Sequence, residues 1–560
     1  MTPAAVVISG TSTINKNMEF EVMEAYCRRL VVTALLSLGT VALSACGGGG
    51  GGSDSSSNNL TSGDDSAGGS STGAWEPGNF LPASTYANQC VEPRSGTNPA
   101  TGQAYADQLG SRLDENNWLR SMSNDLYLWY GEIEDKDPAG FDDSIDYFEQ
   151  LKTFALTVSG REKDRFHYAI PTSDWQAQSQ SGVYVGYGFQ WALIEATPPR
   201  KAVIAYTDNE GGAGLPPGIG RGAEVLKVDG VDVAYGDDVD TLNEGMWPSV
   251  EGESHVFEML PLGASESITF SLTASAVTSD PVQNVSVLDA AMGRKVGYML
   301  FNDHIATAES ALIEAVQQLK AQSIDDLVLD IRYNGGGYLD IASELAYMIA
   351  GDVTLGQVFE RLTFNDQHPE TNPVTGEPLD PTPFHDKTQG IGNVQPDVAL
   401  PTLNLPRLFV LTGENTCSAS EAIINSLRGV DVEVIQIGAT TCGKPYGFYA
   451  LDNCGTTYLT IQFKGVNAKD FGDYADGFRP NGSYGTGADL PGCSIADDFT
   501  HLLGDVNEAR LSTAMTYIET GSCGDVPASG YTYSQVGARL SAANGSVPKE
   551  PWRSNRIMVR

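Results

Sequence analysis

The chain has 560 residues, too many for one hydrophobic core, and its length suggests about three or four domains. Apolar residues at 41% and charged residues at 19% describe an ordinary globular protein, not a disordered or multi-span membrane one. With 33 basic against 71 acidic side chains the net charge is −38, which argues against the basic footprint that DNA or RNA binding needs.

Arg28 and Arg29 precede an apolar run, Leu30 to Ala42. It is shorter than the ~20 residues a membrane span requires but suits the hydrophobic region of a secretory signal. Met18 or Met23 as the start would give a more usual signal length. The run ends Leu43-Ser44-Ala45-Cys46-Gly47 and resembles a bacterial lipobox. That resemblance implies lipidation of Cys46, a signal over residues 1–46, and a lipoprotein of a Gram-negative cell envelope. Gly47 after the cysteine implies the outer membrane, facing the periplasm. Residues 47–75 are rich in Gly, Ser and Asn, cannot bury enough apolar surface to fold, and read as a flexible leash.

Beyond Cys27 and Cys46, six cysteines remain: Cys90, Cys417, Cys442, Cys454, Cys493 and Cys523. In an oxidising compartment they suggest up to three disulfides, with Cys442–Cys454 favoured as a local hairpin bridge. No Cys/His cluster has zinc spacing, and no metal or cofactor is expected.

Residues 76–180 are expected to form a small helical region. Trp118, Met122, Leu126 and Trp129 recur at helical spacing, then Ile145, Phe148 and Leu151, with Asp137-Pro138 breaking the two runs. Residues 181–280 change to short β-type runs with Gly/Pro turns, such as Lys201 to Tyr206 and Glu224 to Val228 followed by Asp229-Gly230. Here Gly186-Tyr187-Gly188-Phe189 resembles the carboxylate-binding loop of a PDZ domain. The stretch from Gly212 to Gly230 also resembles that family, lengthened by Ile219-Gly220-Arg221-Gly222. The resemblance implies capture of a peptide's terminal carboxylate by backbone amides, with strand addition.

Residues 285–525 read as strand–helix alternation. Strands are expected at Val296–Leu300, Leu327–Ile331, Arg407–Thr412 and Val432–Gly438, with helices around Leu312–Leu319, Leu339–Ala350 and Ser420–Arg428. Near-continuous apolar strands separated by helices predict an α/β, mostly parallel sheet covered on both faces. Phe364 to Leu405 interrupts the rhythm as an irregular excursion near the site. The tail, 526–560, ends in several basic residues.

Three motifs punctuate this alternation. Asp330-Ile331-Arg332-Tyr333-Asn334-Gly335-Gly336-Gly337 exposes backbone N–H groups suited to an oxyanion. Thr416-Cys417-Ser418-Ala419-Ser420-Glu421 places a serine at a helix start, where the dipole favours developing negative charge; Ser418 with Glu421 also fits a capping box. Gly443-Lys444 follows the next strand, and a lysine there is a general base only when neutral.

In this order, with Lys444 26 residues after Ser418 and a PDZ-like unit ahead, the chain resembles the C-terminal processing (tail-specific) serine peptidases. The resemblance covers about Gly182 to Cys523. It implies a crotonase-like protease core, Ser418 as nucleophile and Lys444 as general base. Gly336 or Gly337 with the Ala419 amide would form the oxyanion hole. Asp330, Arg332 and Asn334 would support the glycine turn, Glu421 would hold the helix start, and unfolded proteins would be the substrates. One departure stands out: the family's glutamine four residues after the lysine is Phe448 here. His304 is the alternative base, in a serine–histidine arrangement like that of tricorn-type relatives. A catalytically silent, membrane-tethered peptide-binding protein on the same fold is the rival reading, and a crotonase-type acyl-CoA enzyme ranks last.

Overall fold

A computed structural model describes residues 75–98, 101–208, 214–480 and 488–524, with two short strands at Gln535–Val536 and Arg556–Ile557. The expected signal with Cys46, nearly all of the expected 47–75 leash and most of the 526–560 tail lie outside the described residues. Among those described, no helix is long and apolar enough to cross a membrane.

The N-terminal region holds helix α1 (Arg112–Leu126) and a single turn, α2 (Ser144–Phe148). Ser111 and Asp114 form a reciprocal capping box that sets where α1 begins. Trp118, Met122 and Leu126 are buried, as their spacing predicts, but Ile145 is 48% exposed. The Asp143 side chain accepts the Ile145 and Asp146 N–H groups, which puts Ile145 in a solvent-facing first turn. Asp137 accepts the Ala139 N–H and starts a short 3-10 turn at Pro138, where the sequence places the break. This region is no free-standing helical unit. Its strand Tyr168–Pro171 pairs with Thr456–Leu459, and Cys90 is bonded to Cys454.

An antiparallel layer follows: β1 (Val183–Gly186), β2 (Phe189–Glu195), β3 (Lys201–Thr207), β4 (Glu224–Val228), helix α3 (Val239–Met246), β5 (Ser254–Leu260), β6 (Ile268–Thr273) and β7 (Ser275–Thr278). The strands run β6-β5-β4-β3-β2, with Gln535–Val536 on the outer edge of β2, while β1 pairs separately with β7. One face packs Trp191, Ile204, Val225 and Phe257 around α3. The opposite face sends Ala192, Val203, Ala205 and Tyr206 against the main sheet.

The main sheet comprises β8 (Val282–Asp289), β9 (Lys295–Phe301), β10 (Asp326–Asp330), β11 (Arg407–Thr412), β12 (Glu433–Gly438) and β13 (Gly492–Ser494), in that order. Only β8 runs antiparallel to its neighbour. Helices α4 (Ala308–Gln322), α5 (Leu339–Ala350) and α6 (Ala419–Gly429) cover one face. Helix α7 (Ala509–Thr520) and the antiparallel layer cover the other. Every residue of β10 and α5 is buried, which is why both read as unbroken apolar runs. Phe364–Leu405 is largely irregular, and its Gln389 and Gly390 N–H groups donate to Glu309 on α4.

The cysteines pair as Cys90–Cys454, Cys417–Cys442 and Cys493–Cys523. The expected Cys442–Cys454 bridge is therefore not formed. Cys454 sits at the turn of the hairpin that packs on the N-terminal region, whereas Cys442 lies in the loop after β12, with its Cα 5.1 Å from that of Cys417. Closeness in sequence does not bring the two together.

Candidate active site

The site is assembled where three parallel strands end. The chain leaving β10 enters the glycine turn, the chain leaving β11 enters the serine turn, and the chain leaving β12 enters the lysine loop. Ends of adjacent parallel strands share one edge, so three distant motifs converge without long excursions.

The glycine turn is held from below by buried charge. Arg332 is ion-paired with Asp330, Asp497 and Glu508, all essentially fully buried, and Tyr298 donates to Asp330 at 2.8 Å. Burial alone would push the Asp497 carboxyl up, but Arg510, Arg221 and Arg332 outweigh it and hold the group far below its ordinary range. Arg221, from the loop before β4, donates to Asp497, to Tyr333 Oη and to the Ala205 carbonyl. It lies in the insertion that lengthens the Gly212–Gly230 stretch and ties the antiparallel layer to the turn.

Asn334 organises the turn itself. Its Oδ1 accepts the Gly336 N–H at 2.9 Å, and its Nδ2 donates to the Phe301 carbonyl. The Gly336 amide is thereby held inside the turn. Its missing Cβ matters more: one built there would lie 2.8 Å from Ala419 N and 2.8 Å from Ser418 Cβ, at a φ of +101°. A Cβ on Gly337 would strike the His304 carbonyl at 2.4 Å. Only glycines let the turn press against both the serine and the chain after β9.

Ser418 stands at the N-terminus of α6, fully buried, with φ +57° and ψ −114°, and its Oγ has no hydrogen-bond partner. A non-glycine residue in that conformation is strained, so the surroundings must impose it. They do so through Glu421, whose Oε2 accepts the Ser418 N–H at 3.0 Å and the Lys444 N–H at 2.8 Å. Its Oε1 accepts the Gly443 N–H at 2.8 Å and the Thr441 hydroxyl. Burial pushes this carboxyl up, and those four donors oppose the shift. One carboxylate thus gathers the serine turn and the lysine loop. The sequence reading gave it only the helix start.

Lys444 is fully buried, with Nζ 4.6 Å from the centre of the Phe166 ring and 4.9 Å from that of Phe448. Phe166 belongs to the N-terminal region, as do Arg161 and Arg165, whose guanidiniums donate to the Cys442 carbonyl. Burial, aided by Arg161, lowers Arg165 to about 10. Sequence reasoning singled out none of these, nor Asp497 and Glu508, because no local spacing links them to the motifs.

His304 follows β9. Its Nδ1 lies 2.9 Å from Asn334 Oδ1, which already accepts an N–H, so Nδ1 carries the proton and Nε2 is a buried acceptor without a partner. Burial lowers it to about 3, keeping it neutral. Its main chain brackets the glycine turn, accepting from Tyr338 and donating to Gly336. A grouping of metal-type donors, Cys417, Glu421 and Cys442, has both sulfurs in a disulfide, which removes the thiolates a metal needs.

The structure thus gathers Ser418, Ala419, Gly336, Gly337, Lys444 and His304 around one edge of the sheet. Gly186, Tyr187, Gly188 and Phe189 form the β1–β2 connection in the antiparallel layer. Tyr187 is buried, donates to the Gly245 carbonyl and packs on Phe257. Gly186, Tyr187 and Phe189 line a groove of about 420 Å³ with Trp191, Met246 and Trp247.

This is the mixed α/β architecture of the S41 proteases. The crystal structure of an S41-family chain from Bacteroides fragilis NCTC 9343 superposes with a TM-score of 0.52 at 21% identity, covering 72% of this chain and 97% of that one. Residues 295–452 match the family model of peptidase family S41. A carboxyl-terminal-processing protease of Picosynechococcus sp. is 26% identical over 279 residues, 48% of this chain and 56% of that protein. The chloroplastic C-terminal processing peptidase of Tetradesmus obliquus is 31% identical over 171 residues, 28% of this chain and 35% of that protein. The alignments span about half or less of these curated relatives. The match to peptidase family S41 is carried by residues 295–452, and the relatives similar to this chain are named as C-terminal processing peptidases.

Proposed function

We propose that the chain is an exported serine endopeptidase that acts on unfolded or partly unfolded proteins through Ser418 and Lys444. The observation that carries this reading is the buried serine Oγ without a partner at a helix N-terminus, joined through one Glu421 oxygen to the main chain of a buried lysine. Neutral Lys444 Nζ takes the Ser418 proton, Oγ attacks a peptide carbonyl, and the developing oxyanion meets the N–H groups of Gly337 and Ala419. The protonated lysine then gives its proton to the leaving amine, and water hydrolyses the acyl-enzyme by the same route. Ser–Lys pairs are an attested variant of triad logic. Desolvation favours the neutral amine, which is the form this step requires. The core is read as crotonase-like.

Residues 181–280 are read as a PDZ-like unit that captures chain ends in the groove beside Gly186–Phe189, and the pairing of Gln535–Val536 on the edge of β2 is itself an example of the strand addition this reading invokes. Cys46 is read as the lipidated residue, anchoring the protein in the outer membrane of a Gram-negative envelope, facing the periplasm. The rival, a silent peptide-binding protein on the same fold, is favoured only by Phe448 in place of the family glutamine and by the unusual cysteines flanking the site, Cys417 and Cys442.

Ser418→Ala is expected to abolish cleavage of an unfolded protein, and labelling by a phosphonylating probe, while the melting curve stays that of a folded chain. Unchanged turnover in that variant refutes the nucleophile. Lys444→Ala is expected to be silent; retained activity there, with loss in His304→Ala, would move the base to the histidine.

A further inference from the structure

We infer that the Cys417–Cys442 disulfide is a positioning device, and that hydrolysis at Ser418 requires this bond to be oxidised. The inference rests on the peptidase reading above and adds a condition to it.

The bond joins the two elements that the chemistry must hold together. Cys417 immediately precedes Ser418, Cys442 lies two residues before Lys444, and both sulfurs belong to residues at most 3% exposed. The bridge sits against the carboxylate that gathers the same turns, with Cys442 Sγ 3.5 Å from Glu421 Oε2. Cys442 N–H donates to the Thr416 carbonyl and Cys417 N–H to the Asn334 carbonyl, so the bridge is continuous with the glycine turn. The other two disulfides lie elsewhere. Cys90–Cys454 fastens the N-terminal region, and Cys493–Cys523 fastens the edge strand β13 to the end of α7.

Ser418 holds a left-handed φ that an unconstrained serine leaves readily, and the covalent link one residue earlier helps impose it. Hydrogen bonds alone would keep the turns adjacent but not fix their spacing to a fraction of an ångström. A displacement of about 1 Å between reacting groups costs on the order of 100-fold in rate. Reduction would supply that displacement. A dithiol gives two electrons and two protons, the S–S bond breaks into two thiols at Cys417 and Cys442, and the dithiol closes to its own disulfide. In a reducing cytoplasm the same chemistry would keep the nascent chain silent until it reaches an oxidising compartment.

The test uses the oxidised full chain, an unfolded protein substrate and a fluorophosphonate probe. Cys417→Ala/Cys442→Ala is expected to lower kcat by about 10-fold or more with KM changed by less than about 3-fold, and to slow labelling of Ser418 in proportion. Cys493→Ala/Cys523→Ala is expected to leave kcat within about 2-fold, as a control for losing any one disulfide. If the first double variant does not fold, the wild type is reduced by a dithiol under native conditions, with alkylation and peptide mapping to show that Cys417–Cys442 has opened. Activity should fall on opening and return on reoxidation. A folded double variant, or a mapped open wild type, with kcat and labelling within about 2-fold of the oxidised protein overturns the inference alone. Oxidised wild type without Ser418-dependent hydrolysis overturns the peptidase reading, and the inference with it.

Discussion

Glu421 concentrates more of the site than any other single side chain. Its two oxygens accept from Ser418 N–H, Lys444 N–H, Gly443 N–H and the Thr441 hydroxyl, in a place without solvent. Glu421→Gln is therefore not conservative, because whichever way the amide is turned its NH₂ faces two donors. Each buried donor left unpaired costs about 1–3 kcal/mol, so this variant is expected to lose about 2–4 kcal/mol and to lower kcat/KM by disturbing both turns. Thermal melts and steady-state kinetics check it, and a variant with wild-type stability would show that the carboxylate is dispensable. The capping spacing from Ser418 to Glu421 is legible in the sequence, since it needs only residues three apart. The bonds to Gly443 and Lys444 are not, because they cross between strands that the chain visits separately. Phe166 was equally silent: an aromatic beside a lysine in space carries no spacing signal.

Strand ends and turns carry the next level of organisation. The glycine turn approaches the serine so closely that Gly336→Ala would place a methyl 2.8 Å from Ala419 N, against backbone that cannot swing away, at a φ disfavouring any side chain. That variant is expected to lose most activity and several degrees of melting temperature. Retained turnover would mean the two turns are not in register during catalysis. Beneath them, Asp497 faces Arg221, Arg332 and Arg510, and its carboxyl lies far below its ordinary range in the fold. A depressed folded-state value stabilises the protein fully above the unfolded carboxylate range, about pH 4, and that contribution fades as pH falls further. Asp497→Asn should flatten the fall in stability below about pH 4 while costing about 3–5 kcal/mol at neutral pH, because the arginines lose their counter-charge. Melting temperatures across pH 2–7 measure both effects. At this scale the sequence was most readable: Leu327–Ile331, Leu339–Ala350 and Arg407–Thr412 have patterns that both-face burial dictates. Asp497 and Glu508 escaped because charges that meet only after folding leave no local period.

Across the molecule, the sequence text divides into segments more sharply than the structure does. The sequence changes from helical to β-type spacing near residue 181 and to strand–helix alternation after 285, while in the structure β1 begins at Val183 and β8 at Val282. Yet the N-terminal region is welded to the core by strand pairing at Tyr168–Pro171, by the Phe166 wall of the lysine site and by a disulfide joining residues 364 apart. That link could not be read ahead, since cysteine spacing limits which partners are near in sequence, not which are near in space. Chain-entropy reasoning makes its consequence quantitative. A crosslink closing the longest loop restricts the unfolded ensemble most, by about 5–6 kcal/mol for Cys90–Cys454 against about 3–4 kcal/mol for Cys493–Cys523, which spans 30 residues. Cys90→Ala/Cys454→Ala should therefore lower the denaturation midpoint more than Cys493→Ala/Cys523→Ala does. It should also make the segment before Tyr168 the first to be clipped by an added protease, because that segment then depends on short strand pairing and side-chain packing alone. Equal midpoints in the two double variants would show that native-state strain or residual unfolded structure, not loop length, sets what each bridge contributes.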